Sequence, residues 1–145
     1  AMYLNADNTP STSAVWWNNT APTSTVFTLG TSYHVNKTGA EDIAFLFATL
    51  AGVSKVGSVT HSGTTNVDCG FSAGARLVIL KRTDAAGDWY VWDSVRGIIA
   101  GNDPYLLLNT AAAQVTNTDY IDPLSSGFTI TSTFTAGDYI FYAIA

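Results

Sequence analysis

The sequence has 145 residues, of which 12% are charged and 47% hydrophobic, with a net charge of −5. This composition excludes a disordered chain, which would carry more charge and fewer aromatic residues. The acidic balance argues against nucleic acid as a partner, because phosphate binding needs a basic surface. No apolar run approaches the roughly 18 residues of a membrane-spanning helix, so we also expect no membrane insertion.

Strand signals recur along the chain, whereas only Ala111–Val115 suggests a helical turn. Asp42–Leu50 is a continuous apolar run, typical of a strand that is buried on both faces. The sequence offers no crossover helices for parallel strands, so it predicts an all-β antiparallel sandwich of the jelly-roll or lectin-like kind. The predicted strands are Val26–Leu29, Asp42–Leu50, Lys55–Thr60, Asn66–Cys69, Arg76–Arg82, Trp89–Trp92, Tyr105–Leu108, Phe128–Thr131 and Tyr139–Ile144.

One hairpin is the strongest local prediction. Arg76–Arg82 has an apolar centre bounded by charges, and Trp89–Trp92 returns after a turn-forming loop, Thr83–Asp88. The adjacent cations Lys81 and Arg82 are interpreted as a solvated strand end. Because alternation places Trp89 and Trp92 on opposite faces, we expect at least one of them in the core.

The two ends of the chain resemble each other, which indicates a repeated module. The aligned pairs are Thr38–Ala48 (TGAEDIAFLFA) with Thr135–Ala145 (TAGDYIFYAIA), Ala21–Thr31 with Asp122–Ser132, and Leu4-Asn5 with Leu108-Asn109. The sequence therefore predicts that residues 1–48 are the second half of a preceding module and that residues 49–145 are a complete module. On this hypothesis the chain is the C-terminal piece of a longer polypeptide.

Residues that could support catalysis or metal binding are sparse. Glu41 is the sole glutamate, Cys69 the sole cysteine, and His34 and His61 the sole histidines. Glycoside hydrolysis needs two facing carboxyl groups, and zinc needs clustered Cys and His ligands. We therefore predict no catalytic residue, no metal and no cofactor. Cys69 is expected to be a buried free thiol.

The adjacent tryptophans Trp16 and Trp17 are the candidate ligand-binding residues. Indole faces stack on sugar rings, but indole bodies also fill protein cores. Two interpretations therefore stay open for the pair, namely ligand stacking and packing within or between modules.

Several segments together resemble a repeated domain of unknown function in phage tail-fibre-like and other large virion proteins. They are Arg76–Gly97 (RLVILKRTDAAGDWYVWDSVRG), Tyr105–Asn109, Ser125–Ile130, Gly137–Ala145 and Trp17–Gly30. The resemblance implies a lectin-like sandwich that recurs in tandem and brings no catalytic residues. One departure is Ser58–Thr64, where the family tends to have a Gly- and Asn-rich turn after a tyrosine.

The resemblance leads us to expect a structural and adhesive module of a phage tail fibre or other virion appendage. Its expected partners are further copies of itself in a homotrimer, neighbouring virion proteins and host surface polysaccharide. Two alternatives stay open, a polysaccharide depolymerase and a capsid decoration protein. The lone glutamate argues against the depolymerase.

Overall fold

The computed structural model describes residues 1–145, which divide into two compact units. The smaller unit contains Ala1–Met2 and Pro10–Leu46, and the larger contains Tyr3–Thr9 and Phe47–Ala145. The compact units therefore divide after Leu46, and a short N-terminal strip belongs to the larger one.

The larger unit is built from two antiparallel sheets. A five-stranded sheet has the order β1-β8-β3-β4-β5, and a three-stranded sheet has the order β2-β7-β6. The predicted all-β antiparallel sandwich is thus confirmed. The strands are β1 (Ser54–His61), β2 (Thr65–Asp68), β3 (Leu77–Arg82), β4 (Trp89–Asp93), β5 (Leu106–Leu107), β6 (Ile121–Leu124), β7 (Gly127–Ile130) and β8 (Gly137–Ile144).

The core lies between the two sheets, because alternate residues of each strand point to the same side. Phe128 of β7 meets Phe141 of β8 edge to face, with ring centroids 5.6 Å apart. Trp92 is fully buried, so one of the two hairpin tryptophans lies in the core, as predicted. A Cβ on Gly57 would lie 2.7 Å from the Phe141 ring, so the ring requires glycine on the neighbouring strand.

Lys81 corrects one prediction, because it is a buried cation and not a solvated strand end. Its side chain is fully buried, and Nζ donates to the carbonyl oxygens of Asp7, Asn8 and Gly87 at 3.0, 3.1 and 2.7 Å. Burial lowers the pKa of Lys81. These bonds fix the strip Tyr3–Thr9 to the outer side of β3, the side that faces away from the core.

Two further interactions hold the same strip. The Trp89 indole N–H donates to the carbonyl oxygen of Tyr3 at 3.0 Å, and the Gly87 N–H donates to that of Asp7 at 2.8 Å. On the same face of the sheet, Phe47 packs on Tyr142 of β8, with ring centroids 4.8 Å apart. The outer face of the five-stranded sheet is therefore covered in part by chain segments that lie outside its strands.

The smaller unit contains a single helical turn, α1 (Ala14–Trp17), and no strand. The predictions of strands at Val26–Leu29 and Asp42–Leu50 are therefore wrong; only Leu50 pairs, through an isolated bridge to Ser54. Side chains that should be buried are open to solvent, including Ile43 at 85% and Phe45 at 80% exposure. The physical reason is that a strand needs a neighbour, and this unit supplies none.

One feature of the smaller unit does repeat the larger one. The Thr23 N–H donates to the Val26 carbonyl oxygen at 2.8 Å, which closes a tight turn. The equivalent residues in the sequence alignment, Leu124 and Gly127, close the hairpin between β6 and β7. The similar sequences thus form similar turns, although only the later copy forms strands.

One other local prediction is wrong. Ala111–Val115 is not helical, since Val115 bridges Tyr105.

His61 is the last residue of β1, and its ring is buried. One ring nitrogen lies 2.9 Å from the Thr65 hydroxyl, and the other lies 3.2 Å from the Phe134 carbonyl oxygen, so both nitrogens are used structurally.

Candidate functional site

The two candidate tryptophans lie on α1, and a neighbouring loop fixes that turn. The Gly30 N–H donates to the Trp16 carbonyl oxygen at 2.7 Å, and the Ser32 N–H donates to that of Val15 at 2.7 Å. A Cβ on Gly30 would lie 2.1 Å from the Val15 carbonyl oxygen, so only glycine allows this approach. Asn18 then ends the helix in the left-handed conformation, with φ of 52°.

The helical turn separates the two tryptophans. The Trp16 ring stacks on His34, with centroids 5.6 Å apart and planes 25° apart. One face of the Trp16 indole is thus already in contact with an imidazole, and the residue is half-buried. Trp17 is 43% exposed and lines a cleft, so it is the more accessible of the pair.

The cleft lies within the smaller unit and has a volume of about 700 Å³. Small-molecule sites typically span about 300–1,000 Å³ and combine apolar walls with a few polar groups. Here the polar groups are those of His34, Asp42 and two threonines. The lining residues are Trp17, Thr20, Pro22, Phe27, Thr28, Leu29, His34, Val35, Asp42, Ile43, Ala44, Phe45 and Leu46.

This lining favours a ring-shaped, partly apolar ligand over an ion. An exposed indole offers a flat face to a sugar ring, and the Asp42 carboxylate can accept hydrogen bonds from hydroxyl groups. His34, Asp42 and Phe27 were not identified as site residues from the sequence. They come from separate loops, and no local motif connects them.

No group of three or more His, Cys, Asp or Glu residues could hold a metal ion. No helix is long and apolar enough to cross a membrane.

Comparison with known proteins places the chain in a family. It belongs to the family described as a domain of unknown function, DUF7483, whose model matches residues 1–145. No curated protein and no solved structure matches it. The family description assigns neither an activity nor a ligand.

Two buried ionisable groups in the larger unit of this DUF7483 chain, Asp103 and Cys69, have surroundings that indicate a structural role and not a chemical one. The Asp103 carboxylate accepts the N–H groups of Ile99 and Ile121 at 2.9 and 3.3 Å, and burial raises its pKa to about 6. Burial likewise raises the pKa of the Cys69 thiol to about 11, which leaves it protonated and unreactive at neutral pH. Cys69 is therefore the buried free thiol that was predicted.

The segment Asp42–Leu46, which we call the open segment, is an exposed apolar stretch of the smaller unit. It forms one wall of the cleft, and its residues Ile43, Phe45 and Leu46 are all at least 75% exposed. It makes no strand pairing. Apolar, unpaired and β-prone segments of this kind pair readily with other chains.

Proposed function

We propose that this chain is a structural module of an extended virion assembly, such as a phage tail fibre, and that it acts through contacts between modules and not through catalysis. The observation that carries the proposal is the open segment. Its sequence resembles β8, which is a fully paired strand, yet it has no strand neighbour in its own chain. An exposed apolar strand sequence without partners is typical of a surface at which another chain binds.

Two further observations support an assembly. The sequence of the hairpin formed by β3 and β4 resembles a module of large virion proteins. The outer face of the five-stranded sheet already accepts chain segments from outside the sheet, at Lys81 and Tyr142. Homotrimeric closure around a fibre axis is the symmetry that we propose.

Light scattering at micromolar concentration tests the assembly, and antibody labelling of virions in electron micrographs tests its location. We expect trimers in solution and label on a tail fibre. Label on the capsid shell would favour a capsid decoration protein instead. A chain that is monomeric at every concentration and labels no virion would contradict the proposal.

A second function, adhesion to host surface glycans, is favoured by the exposed face of Trp17 in the cleft. Glycan-array binding by the unmodified chain is expected, and Trp17→Ala should abolish it. Val95→Ala is the control, because Val95 is an exposed apolar residue of the larger unit and does not line the cleft. Equal loss in both variants would contradict a sugar site at Trp17, and release of reducing sugars would favour the depolymerase.

A further inference from the structure

The sequence of the open segment indicates which strand it would pair with. In the end-to-end alignment, Asp42–Leu46 corresponds to Tyr139–Ala143 of β8. β8 pairs with β1 along its whole length, from Ser54 opposite Ile144 to His61 opposite Gly137. Tyr139–Ala143 of β8 face Val59–Lys55, so the open segment resembles a strand that pairs with β1, and on the free edge it would lie two residues further along β1.

β1 has one open edge that could accept such a strand. It is the first strand of its sheet, so only one side is occupied by β8. On the other side, Leu50 exchanges backbone hydrogen bonds with Ser54, and the Thr49 hydroxyl bonds both the N–H and the C=O of Val56. Since backbone groups alternate along an antiparallel strand, those of Ser58 and Thr60 also point outward.

The length of this free edge fits the open segment. The part of β1 beyond Val56 runs from Gly57 to His61, which is five residues, and Asp42–Leu46 is also five residues. Strand addition to an exposed sheet edge is a common mode of recognition between chains. Main-chain hydrogen bonds supply affinity, and alternate side chains supply specificity.

The β1 edge cannot take the open segment of its own chain without a rearrangement. The bridge between Leu50 and Ser54 sets a hairpin register in which Phe47 would face Gly57. Paired residues share a face, so Phe47 would then lie on the core side, with Phe141. Phe47 instead packs on Tyr142, which points to the opposite face.

From these observations we infer that the open segment of one copy adds as a sixth strand to the β1 edge of a second copy. The inference rests on the proposed assembly function and specifies its interface. Each copy donates one segment and accepts another at a different place, which makes the contact heterologous. Such contacts close into a ring or extend into a filament, and a ring of three is the proposed homotrimer.

Two variants test the donor, which is the open segment, and the acceptor, which is the β1 edge, separately. Phe45→Asp places a charge in the donor segment at an exposed position. Ser58→Pro removes an outward-pointing N–H from the acceptor edge, where proline is tolerated because β8 does not use that group. Each variant alone should raise the dissociation constant of self-assembly at least about tenfold.

The decisive measurement is the mass of the oligomer that forms when the two variants are mixed. Ser58→Pro retains a donor and Phe45→Asp retains an acceptor, so an equimolar mixture should form one-to-one dimers in light scattering. Thermal unfolding of each variant provides the folding control, and the exposed Phe45 site carries the test if the proline variant does not fold. Dimers in the mixture but not in the separate samples would support the inference.

Hydrogen exchange on the unmodified chain completes the test. We expect alternate amides of Asp42–Leu46, together with those of Ser58 and Thr60, to become protected only on assembly. An oligomer in which these amides stay unprotected would overturn the inference but leave the assembly function standing. Monomer at every concentration would overturn both, and concentration-independent protection in a monomer would show that the segment pairs with its own β1.

Discussion

Two segments of similar sequence differ in conformation in this molecule: one is a strand paired on both edges, and the other is in no strand. Gly137–Ile144 forms β8, with β1 on one side and β3 on the other, and its Phe141 is 6% exposed. The similar Asp42–Leu46 forms no strand. The difference is explained by neighbours and not by propensity, because β-propensity measures how well a side chain packs against cross-strand residues. An apolar run therefore predicts that a strand is possible, and the rest of the sheet decides whether it forms.

The largest expected difference between the two copies is in amide hydrogen exchange. In dilute, monomeric protein, amides in the middle of β8 should exchange only through global unfolding, at least about 1,000-fold more slowly than in an unfolded chain. Amides of Asp42–Leu46 should exchange at nearly the unfolded rate. Mass spectrometry of peptides from the two segments measures this directly, and equal protection in the monomer would contradict the structure.

The next difference is in the free energy of unfolding. Phe141→Ala removes a ring that packs on Phe128 and Gly57, and we expect a loss of about 3–5 kcal/mol. Phe45→Ala, in the exposed copy, should change stability by less than about 0.5 kcal/mol. Urea unfolding of both variants gives the comparison. A comparable loss in Phe45→Ala would mean that the open segment is packed in the monomer.

A third prediction concerns Lys81, which attaches the N-terminal strip to the sheet that contains β8. Lys81→Met removes three charge-assisted hydrogen bonds but also the cost of burying a cation, so we expect a net loss of about 2–3 kcal/mol. Lys55→Met is the control, because Lys55 is only half-buried on β1. Limited proteolysis should cut residues 3–9 faster in the Lys81 variant alone. An uncut strip would contradict the role assigned to Lys81.

The smallest expected effect is a pH dependence of the free energy of unfolding, which arises from tyrosines of the larger unit. Burial raises the pKa of Tyr90, Tyr105 and Tyr139 above the ordinary 10.0. The folded state therefore keeps protons that the unfolded state releases, and the free energy of unfolding falls as pH rises past about 10. The slope should reach up to about 1.4 kcal/mol per pH unit for each tyrosine.

Substitutions show which tyrosines cause the fall in the free energy of unfolding above pH 10. Tyr139→Phe should make the decline in stability above pH 10 shallower, since Tyr139 is almost fully buried. Unfolding by urea at a series of alkaline pH values checks the variant against the unmodified chain, and equal slopes in the two proteins would refute the assignment.

Much of the larger unit could be predicted from the sequence. The first strand of the hairpin, β3, has an apolar centre bounded by charges, and β8 contains the apolar run Tyr139–Ile144. Both patterns lie within one short segment of the sequence, so they can be recognised without knowledge of the fold. β6 was missed because Asp122 and Pro123 read as turn residues, although its short pairing to β7 tolerates a proline.

Two features of the structure could not be predicted from the sequence, for different reasons. Lys81 was predicted to be solvated because its ligands Asp7 and Asn8 are 74 and 73 residues away in sequence. The cleft residues are close in sequence, between Trp17 and Leu46, but they lie in irregular chain that carries no recognisable motif. Of its residues only Trp17 was identified as a candidate, from its residue type, whereas His34 and Asp42 come to it from separate loops.

The position of β8 also has a mechanical consequence. Eight residue pairs join it to β1 and six join it to β3, on opposite edges. Tension along the axis of β8 strains the hydrogen bonds on both edges together, in shear, whereas tension across a hairpin breaks them one at a time. Resistance to forced unfolding is set by the rate of unfolding and not by equilibrium stability. A pull along β8 should therefore meet high resistance, even in a domain of ordinary thermodynamic stability.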